Sequence, residues 1–382
     1  MADGTVIIDT KFNLDKFKAQ VAAAEKQTST LAGKGAVGLN KLKLAAAGAG
    51  LSVGALAVGA IKAGISYESA FAGVKKTVNA TDAELNKMSK GIEDMSLHMP
   101  KTAEELAHIA EGAGQLGIKK EAILGFTKVM ARMSDATNLS SEEASMSLAK
   151  FANITGMSQK NFSNLGSAIV ALGNSTATTE KDIVAMGMRI AGAGSQVGMT
   201  QAQIMSFSAG LSSVGIEAEA GGTAFSQLLA KMNTATAEGG VKLQQFAQVA
   251  GMSSAQFKKA FKDDASGATL AFIQGLKKIK DSGGEPIQVL RKMGLSGIRM
   301  QDMLLRASNG SKIFSKALKT GNKAWRENTA LSKEAGQRYQ TTESKLLMLK
   351  NRFMQVERDI YAAVKGNIRG GIDGLSAGVA TA

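Results

Sequence analysis

Two imidazoles and no thiol limit the chemistry open to this chain. Of its 382 residues, His98 and His108 are the only histidines, and there is no cysteine. Zinc sites draw on several His, Cys or carboxylate ligands, while iron–sulfur clusters and disulfide frameworks draw on cysteine. A Ser-His-Asp relay needs an imidazole with a carboxylate partner. His98 stands beside Met99 and Pro100, and His108 lies inside a helical pattern, so both read as packing or capping residues. The carboxylate pairs Glu104–Glu105 and Glu142–Glu143 follow Thr102 and Ser140. A first helical turn attracts acid there through its dipole. Phosphate-loop and HExxH patterns are absent. Gly33 to Gly38 fits G-x-G-x-x-G, but the polar stretch Glu25–Thr30 precedes it instead of a strand. No acidic residue follows until Glu68, so the ribose-binding carboxylate of a dinucleotide site is missing. The expectation is no catalytic residue, no metal and no cofactor; a carboxylate-only active site, which has no spacing signature, stays open as an alternative.

The elements that would position any site are helical. Thr5-Val6-Ile7-Ile8-Asp9 is the one short strand candidate, and Asn13 reads as a helix cap ahead of Leu14, Phe17 and Val21. From residue 67 onward the pattern is helical and strongly punctuated. Thr81 with Glu84, Thr102 with Glu105 and Ser140 with Glu143 fit the capping box, in which hydroxyl and carboxylate each satisfy a free N–H. Gly117, Gly156, Gly198, Gly215, Gly251 and Gly294 share one corner design. Each sits at C′, where a left-handed conformation is needed, and is followed by an apolar residue that folds back on the last turn. Ser158, Thr200, Ser253 and Ser296 then stand where they could cap the next helix. The spacing of these corners is irregular, so no solenoid repeat is expected. Gly283-Gly284-Glu285-Pro286 marks a boundary, with proline suited to a first helical turn. The 19 methionines fall on apolar helix faces and read as adaptable core. The fold class is therefore all-α: an array of short helices with glycine corners and at most one N-terminal strand.

Two segments stand apart. Leu44 to Ile61 has no charge and lies between Lys43 and Lys62, at the lower limit of bilayer-spanning length. Leu44, Gly50, Leu51, Gly54, Leu56, Gly59 and Ile61 mark it, with Gly50 and Gly54 forming a G-x-x-x-G step. It reads as a buried or self-associating helix, as a conditional membrane segment, or as a constitutive anchor. The second segment is a heptad stripe: Tyr339, Thr342, Leu346, Leu349, Phe353, Val356, Ile360 and Ala363 alternate by three and four. It suits packing on its own domain and oligomerisation equally. The chain then ends in Gly370-Gly371-Ile372-Asp373-Gly374-Leu375 and a tail of small residues, which read as an interrupted domain or a second Gly/Ala-rich segment rather than a finished domain.

The formal charge of +14 is uneven. Residues 1–66 carry a net +4, residues 67–240 a net −3 and residues 241–382 a net +13. Composition thus divides the chain into an N-terminal segment (1–66) with the Gly/Ala-rich helix, a helical core (67–240) and a basic helical region (241–382) ending in the heptad helix. Trp325, Tyr339 and Tyr361 are the only Trp or Tyr of the last third. That is too few for base-stacking readout, so the basic third reads either as a solvated helix face or as a surface for nonspecific contact with nucleic acid, an anionic membrane or an acidic protein wall.

Specific strings also carry a resemblance. Leu172-Gly173-Asn174-Ser175, Thr178-Thr179-Glu180 and the run Arg189 to Met199 lead to Val214-Gly215-Ile216-Glu217-Ala218-Glu219-Ala220-Gly221-Gly222-Thr223-Ala224-Phe225. With Phe246–Met252 and Leu331–Ala335, these resemble the core region of tail tape measure proteins of long-tailed bacteriophages and prophages, over about residues 68–352. The resemblance implies a structural protein of the virion tail lumen, made in the host cytoplasm. Such a protein templates tail length and assembly and leaves ahead of the DNA, its apolar segments assisting genome passage through the host membrane. It implies as partners further copies of the chain, tail tube, tail tip and tail assembly chaperone proteins, the genome end, and conditional membrane contact. Family members are typically far longer, so a short or truncated form is expected. The competing reading is a membrane-active pore former built on residues 44–61.

Overall fold

The computed structural model describes residues 53–380, and those residues form 17 α-helices, one 3-10 turn and no strand. The candidate strand Thr5–Asp9, the Asn13 cap and the Gly33–Gly38 joint lie outside the described residues, as do Leu44, Gly50 and Leu51. The helices are α1 (Val53–Thr77), α2 (Asp82–His98), α3 (Ala103–Gln115), α4 (Lys120–Ala136), α5 (Ser141–Thr155), α6 (Phe162–Ser175), α7 (Glu180–Gln196), α8 (Gln201–Ser213) and α9 (Ala218–Glu238). They continue with α10 (Gly240–Ala250), α11 (Ser254–Asp263), α12 (Ala265–Asp281), α13 (Pro286–Lys292), α14 (Ile298–Asn309), α15 (Ser311–Glu327), α16 (Ala330–Tyr339) and α17 (Thr342–Ala380).

Local chemistry accounts for where these helices begin and end. Capping boxes form at Thr81/Glu84, Thr102/Glu105 and Ser140/Glu143. Two more, Thr200/Gln203 and Ser253/Gln256, use glutamine as the returning side chain. Ser158 accepts from the Lys160 N–H, whereas Ser296 does not cap, because α14 takes Gly297 as its N-cap. All six corner glycines have φ between +62° and +81°. At each of them the N–H of the following residue donates to the carbonyl five residues back, as in Ile118 to Ala113 and Leu295 to Leu290. This is the Schellman geometry, in which a left-handed C′ residue turns the chain and satisfies orphan carbonyls. Pro286 opens α13, where its missing N–H costs nothing.

The short helices bury one continuous apolar cluster running from Tyr67 to Ala335. Helices α6, α8 and α15 meet at its centre, flanked by α7 and α9. Phe207 touches Phe225 and Phe314 at centroid distances of 5.1 and 5.7 Å, and Phe126 meets Phe162 edge-on at 4.8 Å. Each fully buried phenylalanine contributes about 2–3 kcal/mol. A second knot joins α10, α11 and α12 through Phe246, Phe257 and Phe272. There α12 approaches α10 so closely that a Cβ at Gly275 would overlap the Val249 carbonyl.

Distant parts of the chain are stitched by polar seams. Asn328 ends α15 in the left-handed region (φ 50°), and its Oδ1 accepts from Ser163 Oγ at 2.8 Å and Ser167 Oγ at 3.1 Å on α6. Asn164 Nδ2 donates to the Trp325 carbonyl at 2.8 Å. Tyr339 donates to Asp135 Oδ2 at 3.0 Å, and Lys101 Nζ lies 3.2 Å from Asp135 Oδ1. Burial raises the Asp135 pKa although both neighbours favour its charged form.

The heptad stripe needs correction at its start. Tyr339 ends α16 and is turned to Asp135 on α4, and a break at Gln340–Thr341 separates it from Thr342. The continuous helical stripe therefore begins on α17. That helix runs through Gly370, Gly371 and Gly374.

Candidate interaction surfaces

The sequence-expected residues fall on two faces of one helix pair. Gly54, Leu56, Gly59 and Ile61 belong to α1, and Leu346, Leu349, Phe353, Val356 and Ile360 belong to α17. Among the described residues no helix is long and apolar enough to cross a membrane. The stripe of α17 is not its docking face. Leu346, Leu349 and Phe353 are 61%, 48% and 50% exposed, and with Lys350, Met354 and Glu357 they line an open groove. Val356 and Ile360 are half-buried.

What docks α17 is its polar back, spaced 351, 355, 358. The Nδ2 of buried Asn351 lies within hydrogen-bond distance of the carbonyls of Ser96 (2.8 Å), Met99 (3.2 Å) and Lys101 (2.7 Å), which share its two N–H donors and close the α2–α3 corner. Gln355 Nε2 donates to Glu93 Oε2 at 3.0 Å, and Gln355 Oε1 accepts from Arg358 Nη2 at 2.8 Å. Arg358 is 5% exposed, lies 5.3 Å above the Tyr67 ring and has Nη1 3.8 Å from Glu104 Oε1. Stacking and charge pairing offset part of the cost of burying this guanidinium, whose Nε and Nη1, like both Glu104 carboxylate oxygens, have no hydrogen-bond partner among the described residues. Tyr67 in turn bonds Ser89, and burial raises its phenol pKa. A polar face of this kind gives no hydrophobic periodicity, so the sequence reading missed it; the 351/355/358 spacing of long polar side chains was its only signal.

Farther along, α17 meets α1. The Tyr361 ring covers Gly64, its hydroxyl donates to Glu68 Oε2 at 3.0 Å, and Arg369 pairs with Glu68. Burial would raise the Glu68 pKa, but these two hydrogen bonds outweigh it and hold the carboxylate below its ordinary value.

The third surface is basic. Helix α15 buries Phe314, Ala317, Gly321 and Ala324 and exposes Lys312, Lys316, Lys319, Lys323 and Arg326 on its other side. These cations alternate by four and three, a single row about 21 Å long at ~1.5 Å per residue. Lys316 donates to the Ser175 carbonyl at 2.9 Å, and Lys323 lies 3.8 Å from Glu327.

The two histidines are both exposed. His98 Nδ1 lies 2.8 Å from the Asp94 carbonyl, and His108 Nδ1 lies 3.5 Å from Glu111 Oε2. No cluster of three or more His, Asp or Glu able to hold a metal occurs among the described residues.

A body of capped helices with polar, apolar and basic docking faces is what an assembly component presents. The model of a family described as phage-related minor tail protein matches residues 89–333, from within α2 into α16. The chain belongs to that family. No curated protein and no solved structure matches it. The matched span holds most of the buried cluster and the whole α15 row, while α1 and α17 flank it. In the tail protein the family match thus covers most of the helical array, while α1, which adds Tyr67, Phe71 and Val74 to the buried cluster, and α17 lie outside it.

Proposed function

We propose that this tail protein is of the tape-measure type: a structural protein of the tail lumen that takes part in setting tail length and assembly and leaves ahead of the DNA. The observation that supports this reading is the family match over residues 89–333. That span contains the Val214–Phe225 string and its neighbours, which resemble tape-measure cores. A fully extended helix of this chain would reach about 570 Å, but the chain folds back at its glycine corners. Its longest helix, with 39 residues, spans about 58 Å. In this reading the folded body contributes to tail length as a packed unit, with tail tube, tip and assembly chaperone proteins and further copies of the chain as partners. The α15 row suits an acidic tube lining or the phosphates of the genome end, held by contacts that salt weakens. Residues 44–61 supply the conditional membrane contact.

Deleting residues 89–333 in frame in the phage or prophage and imaging the particles tests the proposal. Tails of altered or indefinite length, or no tails, are expected. Unchanged tail length with unchanged infectivity would overturn it.

A further inference from the structure

The apolar groove on α17 continues, toward the N-terminus, the face by which α17 meets α1. Glu357 lies over Gly59 and Tyr361 over Gly64, so partners are offset by 298 and 297 positions and the two helices run in the same direction. Carried back along α17, that register sets Phe353 abreast of residues 55–56, Leu349 abreast of 51–52 and Leu346 abreast of 48–49. The groove of Leu346, Leu349, Phe353 and Met354 thus lies beside the path that α1 would follow if it were extended. Residues 44–52 are outside the described residues, but their sequence fits this path. Ala46, Gly50, Val53, Ala57, Ala60 and Gly64 alternate by four and three. The last two members of that row already show what it does: Ala60 is buried and Gly64 lies beneath the Tyr361 ring. A heptad row of small residues lets a partner helix bring large side chains close to the backbone.

We propose that residues 44–52 extend α1 and lay this small-residue row into the α17 groove, so that Leu346, Leu349 and Phe353 cover the chain's own apolar segment. Continuity with the existing α1–α17 contact favours this occupant over a second copy. The segment is tethered at the groove's end and meets it at an effective concentration in the millimolar range, about that of a short linker. The pairing keeps the uncharged run Leu44–Ile61 out of water and out of lipid until α1 and α17 part.

The absence of cysteine makes the test direct. In the full chain, the pair Gly50→Cys with Leu346→Cys is expected to oxidise to an intramolecular disulfide. The product would be a monomer of altered mobility on a non-reducing gel that has lost both free thiols. Gly50→Cys with Arg352→Cys, off the face and out of register, is expected to keep its thiols. Disulfide-linked dimers from the first pair, or free thiols in it, would overturn the proposal, the dimers in favour of a second copy. A measurement without cysteine backs this up. Phe353→Asp is expected to speed hydrogen exchange across residues 44–58 while α4 to α9 keep their protection; unchanged exchange in 44–58 would overturn it.

Discussion

Asn351 fixes α17 to the α2–α3 corner, where its amide nitrogen lies within hydrogen-bond distance of three backbone carbonyls. Removing one partner of a buried hydrogen bond leaves the others with their full desolvation cost. Asn351→Leu is therefore expected to lower the unfolding free energy by about 2–3 kcal/mol in chemical denaturation, although it adds apolar surface. A loss under about 0.5 kcal/mol, typical of a surface substitution, would contradict the assignment. Glu84 makes a second prediction at this scale. Its carboxylate receives the Lys120 ammonium at 2.8 Å and the Thr81 N–H at 2.9 Å, which pull its pKa from 4.5 to about 2. A depressed carboxylate pKa contributes stability above the unfolded value and loses it as pH falls through the folded one. The melting temperature of the protein should thus exceed that of Glu84→Gln above about pH 4.5, with the gap closing toward pH 2. A gap that stays constant over that window would contradict this. Asn351 and Glu84 differ in how visible they were beforehand. Glu84 sits three residues after Thr81 and is local, whereas the partners of Asn351 lie some 250 positions away.

At the scale of elements, glycine acts in three ways that one substitution separates. Gly251 holds φ +71° at a Schellman corner with open space around it, so only backbone strain opposes a Cβ there. Gly251→Ala is expected to cost about 1–2 kcal/mol. Gly192 lies inside α7 with nothing near its Cβ position, and Gly192→Ala should stabilise by about 0.5–1 kcal/mol. Gly275 touches the Val249 carbonyl of a neighbouring helix, and its alanine variant should be the most damaging of the three. Thermal unfolding of the three single variants reads out this order; any other order would contradict the assignments. The corners were readable from sequence because cap, glycine and fold-back residue lie within a few positions of one another. Ser296 misled because Gly297 took the cap and left it outside. Tyr339 misled because a hydrogen bond to Asp135 on α4, invisible in the spacing, ends α16 there. The stripe of α17 was legible as a stripe, but which face it turned to the body depended on Asn351 and Arg358.

For the whole molecule, helices α1 to α16 form the buried body, and α15 gives it a basic row. If that row holds a polyanion, five cations release about five counterions. Affinity for duplex DNA should then fall about 10²–10³-fold between 50 and 200 mM salt. The double variant Lys316→Glu, Lys323→Glu should flatten that slope in a filter-binding or anisotropy titration, and a slope unaffected by it would remove α15 from the contact. Charge totals by region made the basic third visible, but the single row emerged only once Phe314 and Ala317 were seen to bury the opposite face. The central claim is that this tail protein works inside the tail. Electron microscopy of intact particles at a resolution that shows helices tests it most directly. The account predicts density for the folded helical body within the tube lumen, with α15 toward the wall or the genome end. A lumen without that body, or the body seated on the outer surface of the tail, would contradict it.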